Sequence, residues 1–123
     1  MSSLISVVDD DVSVRVATDN LLSSHGYLVR TFGSAEEFLR SPHLHDCACV
    51  ITDVQMPGMD GFGLLADMRA HGHLVPVIFI TAFSEEGVRA SALKAGAICL
   101  LAKPFAASTL IDCVKTALHR AGH

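Results

Sequence analysis

Short apolar runs alternate with longer mixed segments along the whole chain. The runs cover residues 4–8, 27–32, 47–52, 76–80 and 97–101. They are rich in Val and Ile and show little apolar-polar alternation, the pattern of strands buried on both faces of a parallel sheet. The run 27–32 carries Arg30 and Thr31 and fits an edge strand, while the other four are candidates for the sheet centre.

The segments between the runs carry helix punctuation. Gly26, Gly72 and Gly96 stand where helices should stop, and glycine accepts the left-handed backbone common at C-termini of helices. Ser34-Ala35-Glu36-Glu37 is a capping box, in which Ser34 and Glu37 satisfy each other's free backbone N–H groups. Asp11 is placed to cap the first helix, and Ser84 the fourth despite Gly87 in its first turn. Leu110, Val114, Ala117 and Leu118 form one apolar stripe on the last helix, suited to core packing. Strand and helix therefore alternate five times. That order predicts an α/β fold, a doubly wound five-stranded parallel sheet with right-handed crossovers. The expected strand order is 2-1-3-4-5.

Composition narrows the picture. The 123 residues suffice for one domain, 1–123, with a linker able to begin at Ala121-Gly122-His123. With 50% hydrophobic and 18% charged residues the chain should fold, and a net charge of −4 argues against direct nucleic-acid binding. Cys47, Cys49, Cys99 and Cys113 form no C-x-x-C pair and read as reduced core residues. His43-x-His45 and His71-x-His73 lack a matching partner cluster in the sequence and read as solvated loop histidines, like His25, His119 and His123. No signal peptide and no membrane-length apolar stretch is visible, which makes a cytoplasmic location the expectation.

Four chemical features fall at the carboxyl ends of four expected strands. Asp9-Asp10-Asp11 follows the first, Asp53 ends the third, Thr81 ends the fourth, and Lys103-Pro104 follows the fifth. In open parallel sheets, ligands bind outside the carboxyl ends of strands where the strand order reverses. For order 2-1-3-4-5 that point lies between strands one and three, so Asp9, Asp10 and Asp53 should face one another. Carboxylates crowded together raise each other's pKa unless a cation balances them. A hard divalent ion with oxygen ligands, Mg²⁺ (or Mn²⁺), suits the set. The expected ligands are Asp10, Asp53 and the backbone carbonyl of Gln55, with Asp9 acting directly or through water. Asp53 could then attack phosphorus as a carboxylate nucleophile, while Lys103 and Thr81 neutralise the phosphoryl oxygens. Taken singly, each feature is an ordinary turn, cap or surface residue. Their joint placement in one periodic frame carries the signal.

Val7-Val8-Asp9-Asp10-Asp11 and Ile51-Thr52-Asp53-Val54-Gln55-Met56-Pro57-Gly58-Met59-Asp60-Gly61 resemble the receiver domains of two-component response regulators. Val77-Ile78-Phe79-Ile80-Thr81-Ala82, Lys94-Ala95-Gly96-Ala97 and Lys103-Pro104-Phe105 extend the resemblance over nearly the whole chain. It is greatest to receivers of nitrogen-fixation-type transcription regulators. The resemblance implies a flavodoxin-like receiver fold, with Asp53 as phosphoacceptor from a sensor histidine kinase. It further implies Mg²⁺ held around Asp9 and Asp10, Thr81 and Lys103 reading the phosphoryl group, and a cis Lys103-Pro104 bond. The implied partners are a C-terminal DNA-binding output domain, or a separate effector, and a phosphorylation-dependent homodimer. For that dimer Val88, Arg89, Ala92, Leu100 and Ile111 are candidates.

Leu100 departs from the family, which usually has an aromatic residue there. Activation would then travel through the loop after Thr81 and the fourth helix. Phe83 is expected to shield the phosphoryl group from water, so a Phe83→Gly variant should lose phosphate faster. Two other functions compete. One is a haloacid dehalogenase-type phosphatase with Asp9 as nucleophile, and the other is an interaction module that is never phosphorylated. The cognate kinase, the stimulus and the output leave no trace in the sequence.

Overall fold

The computed structural model describes residues 3–42, 44–82 and 86–120. Strands β1 (Leu4–Val8), β2 (Leu28–Phe32), β3 (Cys49–Asp53), β4 (Val77–Thr81) and β5 (Cys99–Ala102) alternate with five helices. These are α1 (Val12–Ser24), α2 (Ala35–Leu39), α3 (Gly61–Ala70), α4 (Glu86–Ala95) and α5 (Ala107–Arg120). All strand pairs are parallel, in the order β2-β1-β3-β4-β5. Each expected apolar run became a strand, with boundaries shifted by at most two residues.

Burial follows position in the sheet. Every residue of β3 and β4 is buried, because neighbours flank both strands and helices cover both faces. β2 is an edge and exposes Leu28 and Arg30. β5 is the opposite edge, not a central strand, and Leu100 and Leu101 stay buried while Ala102 is exposed. The sheet divides two cores. Phe38, Leu64, Leu65, Met68 and Ala92, from α2, α3 and α4, pack on one face with Phe79 and Leu100. Leu22, Leu110, Val114, Ala117 and Leu118, from α1 and α5, pack on the other with Ile51, Ile78 and Ile80. Each fully buried Leu, Ile, Val, Phe or Met among them contributes about 1.5–3 kcal/mol. The stripe expected on the last helix is therefore core.

Local signals hold, with one change of partner. Gly26, Gly72 and Gly96 have φ of +88°, +81° and +99° after α1, α3 and α4. Asp11 caps α1 through the Ser13 N–H, and Ser34 caps α2 through the Glu37 N–H at 3.1 Å. The return bond of the capping box goes to the Gly33 N–H (3.3 Å), not that of Ser34, because Glu37 reaches one residue further back. Three candidates for a dimer face are corrected: Ala92, Leu100 and Ile111 are buried in the two cores. On α4 the outward residues include Arg89 and Leu93, the latter 55% exposed, with Val88 half-buried. Ser84, Phe83, His43 and the tail 121–123 lie outside the described residues, so the readings placed on them stand as expectations.

Candidate functional site

Strand register brings the predicted residues to one edge of the sheet. Val8 pairs with Thr52 and Asp53 with Ile80, while Thr81 pairs with Ala102. The ladder runs on past the strand ends: Asp9 N–H donates to Phe32 C=O (3.1 Å), Val54 N–H to Ile80 C=O (2.9 Å), and Lys103 N–H to Thr81 C=O (2.7 Å). Asp9, Asp10, Asp53, Thr81 and Lys103 thus reach the same carboxyl edge, across the crevice where β1 leads to β2 on one side and lies beside β3 on the other. The Lys103-Pro104 bond is cis.

The acidic residues meet. One carboxylate oxygen from each of Asp9, Asp10 and Asp53 lies within 4.8 Å of the others. Asp9 is fully buried and Asp53 nearly so, while Asp10 is open to solvent. The Lys103 ammonium bridges the two buried ones, with Nζ 2.8 Å from Asp53 Oδ2 and 3.2 Å from Asp9 Oδ2. Burial pushes the Asp9 carboxyl up despite the Asp11 N–H it accepts, and the charge of Asp53 adds to the rise. Burial also works against the Lys103 ammonium, but its bonds to Asp53 and Asp9 outweigh that and raise its pKa. The cluster therefore holds more negative charge than one lysine balances. Its oxygen-only donors, set this close together, fit one hard divalent cation.

Asp9 is a poor nucleophile here. Its Oδ1 accepts the Asp11 N–H (2.9 Å), its Oδ2 pairs with Lys103, and it has no exposed surface. Complete burial, which Asp53 does not share, weighs against the phosphatase reading. Asp53 lies on the crevice side, with Oδ1 accepting the Gln55 N–H at 3.1 Å. Gln55 itself is exposed at the start of the loop joining β3 to α3, and Thr81 is buried one residue past the strand partner of Asp53.

Two contributors had no signal in the sequence. Arg15, on α1, donates from its guanidinium to the Asp9 backbone carbonyl at 2.6 Å. Glu36, on α2, accepts the Met59 N–H at 3.1 Å. Both act on backbone groups, and each looks like an ordinary helix-surface charge in the sequence. A different pairing was missed at the opposite end of the sheet. His45 and His73, one from each H-x-H motif, lie with ring centres 4.6 Å apart. Among the described residues no third ligand joins them. The cysteines are all free, and burial pushes the thiols of Cys47, Cys49 and Cys113 up, as expected of core residues. No helix among the described residues is long and apolar enough to cross a membrane.

Comparison with known proteins agrees with this architecture. The sequence profile described as the response regulator receiver domain matches residues 5–115. Response regulator protein TmoT of Ectopseudomonas mendocina is 38% identical over 116 residues, 94% of this chain and 53% of that protein. Transcriptional regulatory protein FixJ of Bradyrhizobium diazoefficiens is 35% identical over 117 residues, 95% of this chain and 57% of that protein. The solved structure of the response regulator StyR superposes with a TM-score of 0.87 at 40% identity, covering 99% of this chain and 62% of that one. The chain spans about half the length of the curated relatives it matches. A doubly wound sheet in receiver order, carrying an acidic crevice bridged by lysine and a matching profile over nearly its full length, makes this chain a member of the response regulator receiver domain family.

Proposed function

We propose that residues 1–123 form the receiver of a two-component response regulator, in which Asp53 accepts a phosphoryl group from the phosphohistidine of a sensor histidine kinase. The observation that carries this reading is the convergence of three carboxylates at the carboxyl edge of the sheet, with the Lys103 ammonium 2.8 Å from Asp53. Asp10, Asp53 and the Gln55 carbonyl would hold Mg²⁺ or Mn²⁺, Asp9 helping directly or through water, and the bound ion supplies positive charge for the phosphoryl oxygens.

The chain's own residues do the rest. An Asp53 carboxylate oxygen attacks phosphorus as the P–N bond to the donor imidazole breaks, and the nitrogen leaves with the electron pair. Lys103 is already within reach of the oxygens that Asp53 would carry. Thr81, one residue past the strand partner of Asp53, brings a hydroxyl donor to another. Catalysis of this kind is positioning and charge neutralisation. Asp53 is consumed and regenerated by hydrolysis, so the domain acts as a switch and not as a turnover enzyme.

The donor has apolar surface to meet. Val12 and Val16 on α1 are 59% and 53% exposed. A cleft of about 520 Å³ lined by Val14, Ala17, Leu21, Pro104 and Phe105 opens beside Lys103. Relatives of about twice this length named as transcriptional regulators favour a C-terminal DNA-binding output domain over a separate effector. The phosphate would bias a two-state equilibrium through contacts made in one state alone. With Leu100 buried in the core, its readout falls to α4, whose exposed Arg89 and Leu93 suit a phosphorylation-dependent homodimer. The domain needs neither membrane nor nucleic acid for this, and we place it in the cytoplasm.

Beryllofluoride with Mg²⁺ mimics an aspartyl phosphate and tests the reading. Amide NMR shifts should centre on Asp53, Thr81 and Lys103 and spread into α4. Shifts of the same size in an Asp53→Asn variant would contradict it.

A further inference from the structure

The loop from Asp53 to α3 carries the Gln55 backbone and is closed at its base. The Gly61 N–H donates to Val54 C=O at 2.9 Å, and the Asp60 carboxylate caps α3 through the Gly63 N–H at 2.7 Å. Near the base, the Gln55 N–H is bonded to Asp53 Oδ1. The far end of the loop, Gly58-Met59, is held from another element. Glu36 reaches over from α2 and accepts the Met59 N–H, a bond between residues 23 apart in sequence.

The loop is shaped to receive that carboxylate. Gly58 has φ of +77°, a conformation open to glycine, and a Cβ there would lie 2.7 Å from Glu36 Oε2. The absent side chain lets the carboxylate lie against the loop backbone. Charge-assisted bonds from backbone N–H to carboxylate are among the stronger ones. The Met59 N–H, foremost, also holds the Glu36 carboxyl below the usual carboxylate range. Glu36 touches none of Asp9, Asp10, Asp53, Thr81 or Lys103 by any described hydrogen bond. Its effect on the site runs through the loop.

We propose that Glu36 is a positioning residue: by anchoring Met59 it fixes the loop that presents Gln55 to Asp53, and so sets divalent-ion affinity at the phosphoacceptor. This rests on the reading of Asp53 and Gln55 given above. The short α2 thereby becomes part of the site, although it supplies no ligand.

Two variants and two readouts decide it. Glu36→Ala removes the acceptor, and Glu36→Gln keeps a carbonyl oxygen for Met59. In metal-free protein, Glu36→Ala should speed amide hydrogen exchange at both Met59 and Gln55, and Glu36→Gln should restore most of the protection. In Mg²⁺ titrations followed by NMR, Glu36→Ala should weaken binding by about tenfold, the lower end of what loss of a supporting hydrogen bond does to metal affinity. Glu36→Gln should recover most of the affinity that Glu36→Ala loses. Unchanged exchange at Gln55, or a lowered melting temperature with Mg²⁺ affinity intact, overturns the proposal. If the parent itself binds no Mg²⁺, the functional reading of the site fails, and exchange at Gln55 still decides whether Glu36 holds the loop.

Discussion

Lys103 has the hardest electrostatic task in the molecule. It is the cation that the described residues bring between Asp9 and Asp53, and both of those side chains are shielded from water. Replacing it with methionine keeps the stem and removes the charge. Two nearby carboxylates would then face each other with their partner gone, a loss of about 1–3 kcal/mol. Urea unfolding in EDTA should show Lys103→Met to be less stable than the parent by that amount, and Mg²⁺ should narrow the gap. Equal stability of the two proteins in EDTA would show that the bridge contributes nothing. Lys103, Asp9, Asp53 and Thr81 were legible in the sequence because chemistry-bearing residue types stood at the ends of apolar runs. Arg15 and Glu36 were not. They bind the Asp9 carbonyl and the Met59 N–H, and a backbone partner leaves no residue type for a sequence to display.

At the scale of the element, glycines separate two kinds of constraint. Gly72 follows α3 at φ +81° with nothing within 4 Å of where a Cβ would sit, so only backbone strain opposes a side chain. Gly61 begins α3 without positive φ, but its Cβ would lie 2.5 Å from the Asp53 carbonyl oxygen. Gly72→Ala should therefore lose roughly 1–2 kcal/mol and leave labelling by acetyl phosphate unchanged. Gly61→Ala should lose about 1–3 kcal/mol through overpacking and also slow labelling, because the strain falls on the backbone of Asp53. Chemical denaturation and timed intact-mass measurements separate the two, and equal labelling rates would break the link between α3 and the site. Helix ends were readable because capping chemistry is local: Asp11, Ser34 and Gly96 act within a few residues. Which face of α4 or β5 points outward was not. Ala92 and Leu100 look like suitable interface residues in sequence, yet the packing of α4 on the sheet turns them inward and leaves Leu93 outside.

At the scale of the whole molecule, one topological fact organises the rest. The order β2-β1-β3-β4-β5 opens a crevice beside β1 and β3, and parallel strands all deliver their carboxyl ends to it. Apolar runs of strand length, separated by helical segments, were enough to predict a parallel doubly wound sheet, but run composition alone did not show β5 to be an edge. The pairing of His45 with His73 was not legible, because their loops meet at the other end of the sheet and neither motif refers to the other. The same delivery of strand ends puts the Asp53 carboxylate beside the Lys103 ammonium and brings Thr81 to the same edge of the sheet. The central claim is that Asp53 is the group this arrangement serves. Incubation with acetyl phosphate and Mg²⁺, followed by intact mass spectrometry, tests it most directly. The parent should gain one phosphoryl group and the Asp53→Asn variant none. An Asp53→Asn protein that gains it as readily as the parent would contradict the account.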